Sequence, residues 1–461
     1  MKFGGSLLDN ENKLNNVINI IKSYYSLDNE IVVIISALHG ITDKILDLCN
    51  HIKKVNKNSL CLFLKNIEIV HKNLIEKIIL DEKEKSKLLQ LINNLINEFR
   101  DVLLGISILG EVTPKSQDYL LSFGERLSTP IISCALNSAG LKSHYLNGKE
   151  VGILTNSHFG DAKPLMDTTK LRIHHKIEPL LKEKTIPVVT GFIGCDQNGN
   201  ITTIGRGGSD YTATIIAAGI NADEVWLWSD IDGLMTADPK IVKDAIVLEE
   251  VSVLEALELS MFGSKYMHPR ALEPVMDSKI AVRIRNANNI DHPGTLITQT
   301  PSFTSNKIVK SITVIRNTAL IDVRGGGLIG TPGTAAKIFD ALAKNQVNIM
   351  MISQTPSESS ITMVVKKQDI DKAIITLELN FLGKLIKRID VSENVAVIEV
   401  VGLGMRGIKG VAARTFGAVA KRNINVIMIT QGSSELNLAF VIEDKNCEEA
   451  VNALHHEFIN V

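Results

Sequence analysis

TIGRGGSDYTATIIAAGINADEVWLWSDIDGLMTADP, residues 203–239, carries most of the information about what this chain folds into. Asn200 to Ile204 predicts a strand. Gly205-Arg206-Gly207-Gly208-Ser209-Asp210 is a glycine-rich turn, and Tyr211 to Ala218 is a run of small and apolar residues at helical spacing. Strand, glycine turn and helix in that order make an anion site. Glycines let the backbone approach a phosphate, while the first-turn N–H groups and the helix dipole favour negative charge. Ser209 or Asp210 is placed to cap the helix, and Arg206 adds a fixed positive charge. A second strand, Glu224 to Trp228, runs into Ser229-Asp230-Ile231-Asp232-Gly233. Ligands of open α/β sheets sit beyond the carboxyl ends of strands, so both turns can line one crevice. A single such turn would be read as glycine needed for geometry alone. Two turns carrying Arg206, Asp210, Asp230 and Asp232 favour a phosphate and metal site.

Composition narrows the class. At 461 residues the chain has room for two or three domains. Lys+Arg 50 against Asp+Glu 51 leaves a formal net charge of −1, so neither a nucleic-acid partner nor an acidic solvating tail is expected. Cys49, Cys61, Cys134, Cys195 and Cys447 form no CxxC pair and read as reduced thiols of a cytoplasmic protein. No apolar run reaches membrane-spanning length, and the opening residues go straight into a motif, so no membrane contact and no targeting peptide are expected.

GRGGSDYTA, SDIDGLMTADP and the opening KFGGS resemble aspartate kinase, of the amino-acid-kinase superfamily. FGERLS (123–128) and FGSKYMHPRALEP (262–274) extend the resemblance, which covers essentially the whole chain in the family's order. It implies a three-layer α/β domain over residues 1–300 with a mainly parallel sheet. It implies phosphoryl transfer from ATP, with Mg²⁺, to L-aspartate. Lys2, Arg206 and Asp210 then take the catalytic roles, and Ser36, Thr42, Glu125, Arg206, Ser209 and Asp210 hold aspartate. Lys2, Gly4, Gly5, Ser6, Ser229, Asp230, Met235, Lys240 and Lys265 contact the nucleotide, and no residue is assigned as a protein metal ligand. The sequence departs from the family in places. Lys2 is preceded by one residue where the family has several, so its strand is either very short or begins upstream. Ser6 stands for threonine, Met235 for an aromatic found in some members, and Lys240 for arginine.

The intervening sequence supplies scaffolding. Ile31 to Ile35 is a β-branched run expected as a buried parallel strand, followed by Ser36 and Thr42 in a loop. Ser36 and Thr42 can equally cap the next helix. Ile45 to Leu109 predicts helices without a chemical motif. Glu125-Arg126 lies in a mostly apolar helix, where it is either an internal ion pair or, by the resemblance, a site for the substrate ammonium. Phe192, ending a buried strand over Ile186 to Thr190, borders the expected pocket. His268, just before Pro269, is expected to pack or cap.

After the polar stretch 301–306 the pattern changes to a repeat. Residues 330–365 align without gaps on residues 407–442, an offset of 77. Gly330/Gly407, Gly333/Gly410, Phe339/Phe416, Asn348/Asn425, Gln354/Gln431 and Glu358/Glu435 match. The pattern suits two α+β ferredoxin-like (βαββαβ) units and resembles ACT domains, expected over 307–391 and 392–461. The second copy is one strand short, and Lys307 to Ile315 is a spare strand ahead of the first, so that strand is expected to complete the second. Gly402-Leu403-Gly404-Met405-Arg406-Gly407 spells GxGxxG, yet the strand after it, Ile424 to Thr430, ends in Gln431-Gly432-Ser433 without the acidic residue a dinucleotide site needs. Dinucleotide binding is therefore not expected.

By the resemblance, an end-product amino acid binds at Leu328, Thr331, Gly333, Asn348, Ile349 and Gln354. The absence of an acidic side chain from these segments favours threonine over lysine as the effector. Sensor domains of this kind pair between chains, so a homodimer or larger assembly is expected. The rival readings are another kinase of the superfamily and a catalytically silent amino-acid sensor.

Overall fold

A β-branched run without polar alternation suits a strand covered on both faces, and Val33, Ile34 and Ile35 are all buried. The computed structural model describes residues 1–261, 267–276, 278–301 and 307–460. They divide into two compact units, Met1–Leu234 with Glu249–Val253 and Lys265–Pro301, and Met235–Leu248 with Leu254–Ser264 and Ser302–Val461.

In chain order the first unit contains β1 (Lys2–Phe3), α1 (Glu11–Tyr25), β2 (Val33–Ile35), α2 (Ile41–His51), α3 (Lys57–Ile78), α4 (Glu82–Leu109) and α5 (Pro114–Ser138). There follow β3 (Ser143–Leu146), α6 (Gly148–Val151), α7 (Met166–Lys182), β4 (Ile186–Thr190), β5 (Ile193–Cys195), β6 (Ile201–Thr203), α8 (Gly208–Ile220) and β7 (Glu224–Ser229). Then come β8 (Glu250–Ser252), α9 (Val253–Met261), which continues from Leu254 among the residues of the second unit, β9 (Ala281–Asn286) and β10 (Thr295–Thr298). The main sheet has the order β3-β4-β2-β1-β7-β9-β10-β8 and is parallel except between β9 and β10. Along each strand, alternate residues face opposite layers. Phe3, Val33, Ile35, Val188 and Trp228 share one core with residues of α1 and α5, while α7 and α8 pack on the sheet as well. Phe3 stacks on Trp228 with ring centroids 6.0 Å apart.

Two expectations change here. The strand before the glycine turn is not part of the parallel sheet: β6 pairs antiparallel with β5 in a separate two-stranded ribbon. The helix cap is Gly207, at φ 69°, rather than Ser209 or Asp210. The left-handed backbone at Gly207 ends the turn two residues earlier than capping by Ser209 would, and three earlier than capping by Asp210. Ser209 and Asp210 thus enter the first helical turn.

The second unit contains β11 (Ser311–Arg324), α10 (Thr334–Lys344), β12 (Ile349–Gln354), β13 (Ser360–Lys366), α11 (Ile370–Phe381), β14 (Arg388–Val401), α12 (Val411–Ala420), β15 (Met428–Thr430), β16 (Asn437–Glu443) and α13 (Cys447–Phe458). Its sheet runs β12-β13-β11-β14-β16-β15. Both long strands serve both copies of the repeat. Thr318–Arg324 lies between β13 and the first half of β14, and Ser311–Ile315 pairs with Val397–Val401. The repeat persists in single bonds: Lys310 N–H donates to Val401 O at 2.8 Å, and Lys387 N–H to Arg324 O at 2.8 Å. Glu358 and Glu435 both adopt positive φ, and each carboxylate accepts from the matched glycine N–H, Gly330 at 2.8 Å and Gly407 at 2.5 Å.

Candidate active site

The register of the sheet gathers the site. Thr190 pairs with Ile35, Ile35 with Phe3, and Phe3 with Trp228. Four parallel strands therefore end on one line, and Gly191-Phe192, Ser36-Ala37, Gly4-Gly5 and Ser229-Asp230 leave the sheet on the same carboxyl edge. Glycine is required where these turns touch. A Cβ on Gly5 would stand 2.6 Å from Ala37 O, and one on Gly191 would stand 2.6 Å from Ser209 Oγ. The resulting cleft, of about 470 Å³, is lined by Lys2, Gly5, Ser6, Ser36, Thr42, Glu125, Phe192 and the whole turn from Gly205 to Asp210.

Lys2 leaves the short central strand and ion-pairs with Asp210 Oδ1 at 2.6 Å, both side chains being largely buried. The chain thus places an ammonium and a carboxylate at the mouth of the glycine turn. Arg206 lines the same cleft. On α5, Glu125 and Arg126 part company because adjacent helical residues point to different faces. Arg126 pairs with Glu98 at 2.8 Å and lies over the Phe123 ring. Glu125 faces the cleft instead: its Oε1 accepts Ala37 N–H at 3.1 Å, and its Oε2 is buried without a partner. Burial pushes this carboxyl up to about 8. A buried carboxylate oxygen with nothing to bind is costly unless a ligand donor completes it.

The other expected residues are distributed as follows. Ser229 and Asp230 stand at the end of β7, with Ser229 Oγ donating to Asp230 Oδ1 at 3.2 Å. Nearby, Asp232 accepts from Asn286 and Asn289. Met235 and exposed Lys240 belong to the second unit, and Lys265 lies outside the described residues. In the first repeat copy Leu328 is buried in the apolar core, so its side chain faces away from any solvent ligand. Thr331, Asn348 and Gln354 are exposed, Ile349 opens β12, and Gly333 caps α10 at φ 82°.

Sequence reading missed the residues that brace the glycine turn. Arg270 bonds Asp161 and donates to Ile204 O at 3.3 Å, and its guanidinium lies over the Tyr211 ring. A Cβ on Gly205 would collide with Asp161, and one on Gly207 would meet His268 Cβ at 2.2 Å. His268 accepts Arg270 N–H, the capping role expected of it. The motif segment that contains His268 and Arg270 therefore holds the turn. Its HPR sequence gave only the cap away.

The glycines of the GxGxxG loop meet protein backbone. A Cβ on Gly402 would stand 2.5 Å from Ile308 O, and one on Gly404 would stand 2.8 Å from Lys307 O. These glycines admit the backbone of Lys307 and Ile308, the segment that leads into β11.

Sequence comparison matches the amino acid kinase family over residues 1–286 and the ACT domain over residues 321–381 and 398–458. The chain is 32% identical to bifunctional aspartokinase/homoserine dehydrogenase 2, chloroplastic, of Zea mays, over 99% of this chain; it spans about half, 50%, of that protein and of the similar bifunctional relatives. It is 30% identical to aspartokinase 1, chloroplastic, of Arabidopsis thaliana, over 99% of this chain and 79% of that one. Among solved structures it superposes on E. coli aspartokinase III in complex with aspartate and ADP (R-state) with TM-score 0.82, 25% identity, and 99% and 98% coverage. The same protein in complex with lysine and aspartate (T-state) gives TM-score 0.82 at the same identity and coverage.

Proposed function

This chain belongs to the amino acid kinase family and carries ACT domains, and on that premise we propose that it transfers the γ-phosphoryl group of ATP to the β-carboxylate of L-aspartate, giving 4-phospho-L-aspartate. The observation that carries the reading is the partnerless, buried Glu125 Oε2 in the cleft that Lys2, Arg206 and Asp210 also line. A cleft lined by the Glu125 carboxyl and by the Lys2 and Arg206 cations fits a zwitterion with a second carboxylate. Glu125 takes the α-ammonium, Ser36 and Thr42 line the same end, and Arg206 with the Ser209 and Asp210 turn holds the carboxylates. The solved relative bound to aspartate and ADP supports this choice of substrates.

The β-carboxylate is already a nucleophile, so no general base is needed and catalysis is alignment and charge neutralisation. Lys2 meets the phosphoryl group in transfer, while Asp210 holds the Lys2 ammonium in place. The N–H groups at the start of α8 face the same charge. Gly4, Gly5, Ser6, Ser229 and Asp230 line the nucleotide side, joined by Met235, Lys240 and Lys265 in the same proposal. Mg²⁺ would be held mainly by nucleotide phosphates and water, since it dehydrates reluctantly. The cleft fits that arrangement, since Lys2 and Arg206 line it beside the glycine turn, where nucleotide phosphates carrying Mg²⁺ would lie. Bound there, Mg²⁺ supplies charge neutralisation.

The reading divides the chain into a catalytic domain over 1–300 and sensor domains over 307–391 and 392–461, with the strand within 307–315 serving the second. The pairing of Ser311–Ile315 with Val397–Val401 supports that division. An amino acid, threonine rather than lysine, regulates the enzyme through Thr331, Gly333, Asn348, Ile349 and Gln354, and the ACT domains pair between chains. A cytoplasmic setting is part of the same proposal and is supported by five free cysteines. Among the described residues no helix is long and apolar enough to cross a membrane. Hydroxamate formation from ATP, Mg²⁺ and aspartate, with added threonine or lysine, tests the whole. Aspartate-dependent product suppressed by threonine is expected. Product from glutamate or N-acetylglutamate instead would favour a different kinase of the superfamily, and absence of product would favour a silent sensor.

A further inference from the structure

Asp118 belongs to neither the expected site nor the cleft lining, yet it is a fully buried carboxylate on the helix that carries Glu125. All four of its hydrogen bonds come from neutral donors. Thr203 N–H reaches Oδ2 at 2.8 Å and the Thr203 hydroxyl reaches Oδ1 at 2.7 Å. Gly160 N–H reaches both oxygens at 3.0 Å. Among the described residues no lysine, arginine or histidine forms an ion pair with it. Burial raises its pKa, and the Thr203 and Gly160 bonds oppose that shift. An internal carboxylate without a cation is expensive to keep, and its donors are the two backbone positions it brings together. Thr203 and Gly160 both line the cleft, and Thr203 stands two residues before Gly205.

Asp118 and Glu125 are seven residues apart, two helical turns, and so share one face of α5. Glu125 binds Ala37, at the turn after β2, and Asp118 binds Thr203, at the turn before Arg206. One rigid helix, with a rise of about 10 Å between the two positions, therefore sets the distance between two walls of the cleft. We infer that Asp118 is a positioning residue for the phosphoryl transfer: it pins the Thr203–Arg206 turn to α5, so that the groups receiving the substrate's ammonium and its carboxylates stand at a fixed separation. This inference rests on the function proposed above, and it adds a specificity element, since a longer dicarboxylic amino acid needs a different separation.

The test compares Asp118→Ala, Asp118→Asn and Thr203→Val. Asparagine keeps the geometry. Its carbonyl oxygen accepts the two N–H groups, and its NH₂ donates to a Thr203 hydroxyl turned the other way. Asp118→Ala is expected to lower kcat about 100-fold and raise KM for aspartate, as displacement by about 1 Å does, with KM for ATP changed by less than about twofold. Asp118→Asn should restore most of the loss, and Thr203→Val, which removes one hydroxyl bond, should cost about fivefold. Deuterium uptake by the peptide covering 203–209 should rise in folded Asp118→Ala and return to normal in Asp118→Asn. A residue serving stability alone would lower the active fraction and leave kcat per active site and KM unchanged; that result overturns the inference. Equal impairment of the Asn and Ala variants, or unchanged uptake in both, also overturns it. Wild-type protein that phosphorylates no aspartate would sink the proposed function, while the uptake comparison would still decide whether Asp118 holds the turn. If Asp118→Ala does not fold, Thr203→Val and Asp118→Asn carry the test.

Discussion

Gly205–Asp210 and Gly402–Gly407 are both glycine-rich loops between a strand and a helix, and they serve different ends. In the first, Gly207 begins a buried helix whose first turn carries Asp210, paired with Lys2 at the wall of a cleft. In the second, Gly402 and Gly404 leave room for the backbone of Lys307 and Ile308. Glycine spacing reports only that something comes close. Which groups stand opposite decides whether that something is a phosphate or another stretch of backbone.

The sharpest way to break this contrast is Lys2→Ala. Removing a preorganised charge at a transferring phosphoryl group should lower kcat by about 10³-fold, with the circular dichroism spectrum unchanged. A loss under about tenfold would move the catalytic charge elsewhere. Gly402→Ala should do the reverse. Its Cβ meets Ile308 O at 2.5 Å, so unfolding free energy should fall by about 1–3 kcal/mol, as overpacking does, with NAD(P) binding absent in both forms by calorimetry. Glu125→Gln sharpens the catalytic half. A carboxyl ionising near 8 when folded, against its ordinary 4.5, makes the folded chain lose stability as pH rises between those values. Glutamine should flatten that slope in thermal melts. In the wild type the proton must leave before an ammonium can bind, so KM for aspartate should fall as pH rises towards 8 and level off above it. A KM independent of pH from 6 to 9 would remove Glu125 from the ammonium site. The smallest effect tests the equivalence of the repeats: Glu358→Ala and Glu435→Ala each lose one bond to a glycine N–H, and their melting temperatures should drop by similar amounts, roughly 2 °C.

Much of this was legible because the sequence constrains it twice. The parallel strands showed as β-branched runs, and the turns after them held glycine and charge together. The swapped strand was visible because a counted repeat lacked one element. Other features were hidden because they depend on partners far apart in the chain. Nothing in the sequence around Asp118 singles it out, because its donor Thr203 lies 85 positions away. Arg270 and Asp161 gave no local signal, since their bond spans 109 positions. The cap was misassigned because Ser209 and Asp210 satisfy the cap preference, while Gly207 satisfies the backbone with its left-handed φ. Leu328 was named as an effector contact by the resemblance, whereas packing turns its side chain into the core.

The most direct test of the central claim, that this cleft phosphorylates the β-carboxylate of aspartate, is borohydride reduction of the product formed with ATP and Mg²⁺. Reduction of an acyl phosphate yields an alcohol at the carbon that carried it, so the wild type should give homoserine and Lys2→Ala almost none. The isomeric 3-amino-4-hydroxybutanoate, or no alcohol derived from aspartate, would contradict the assignment of the cleft.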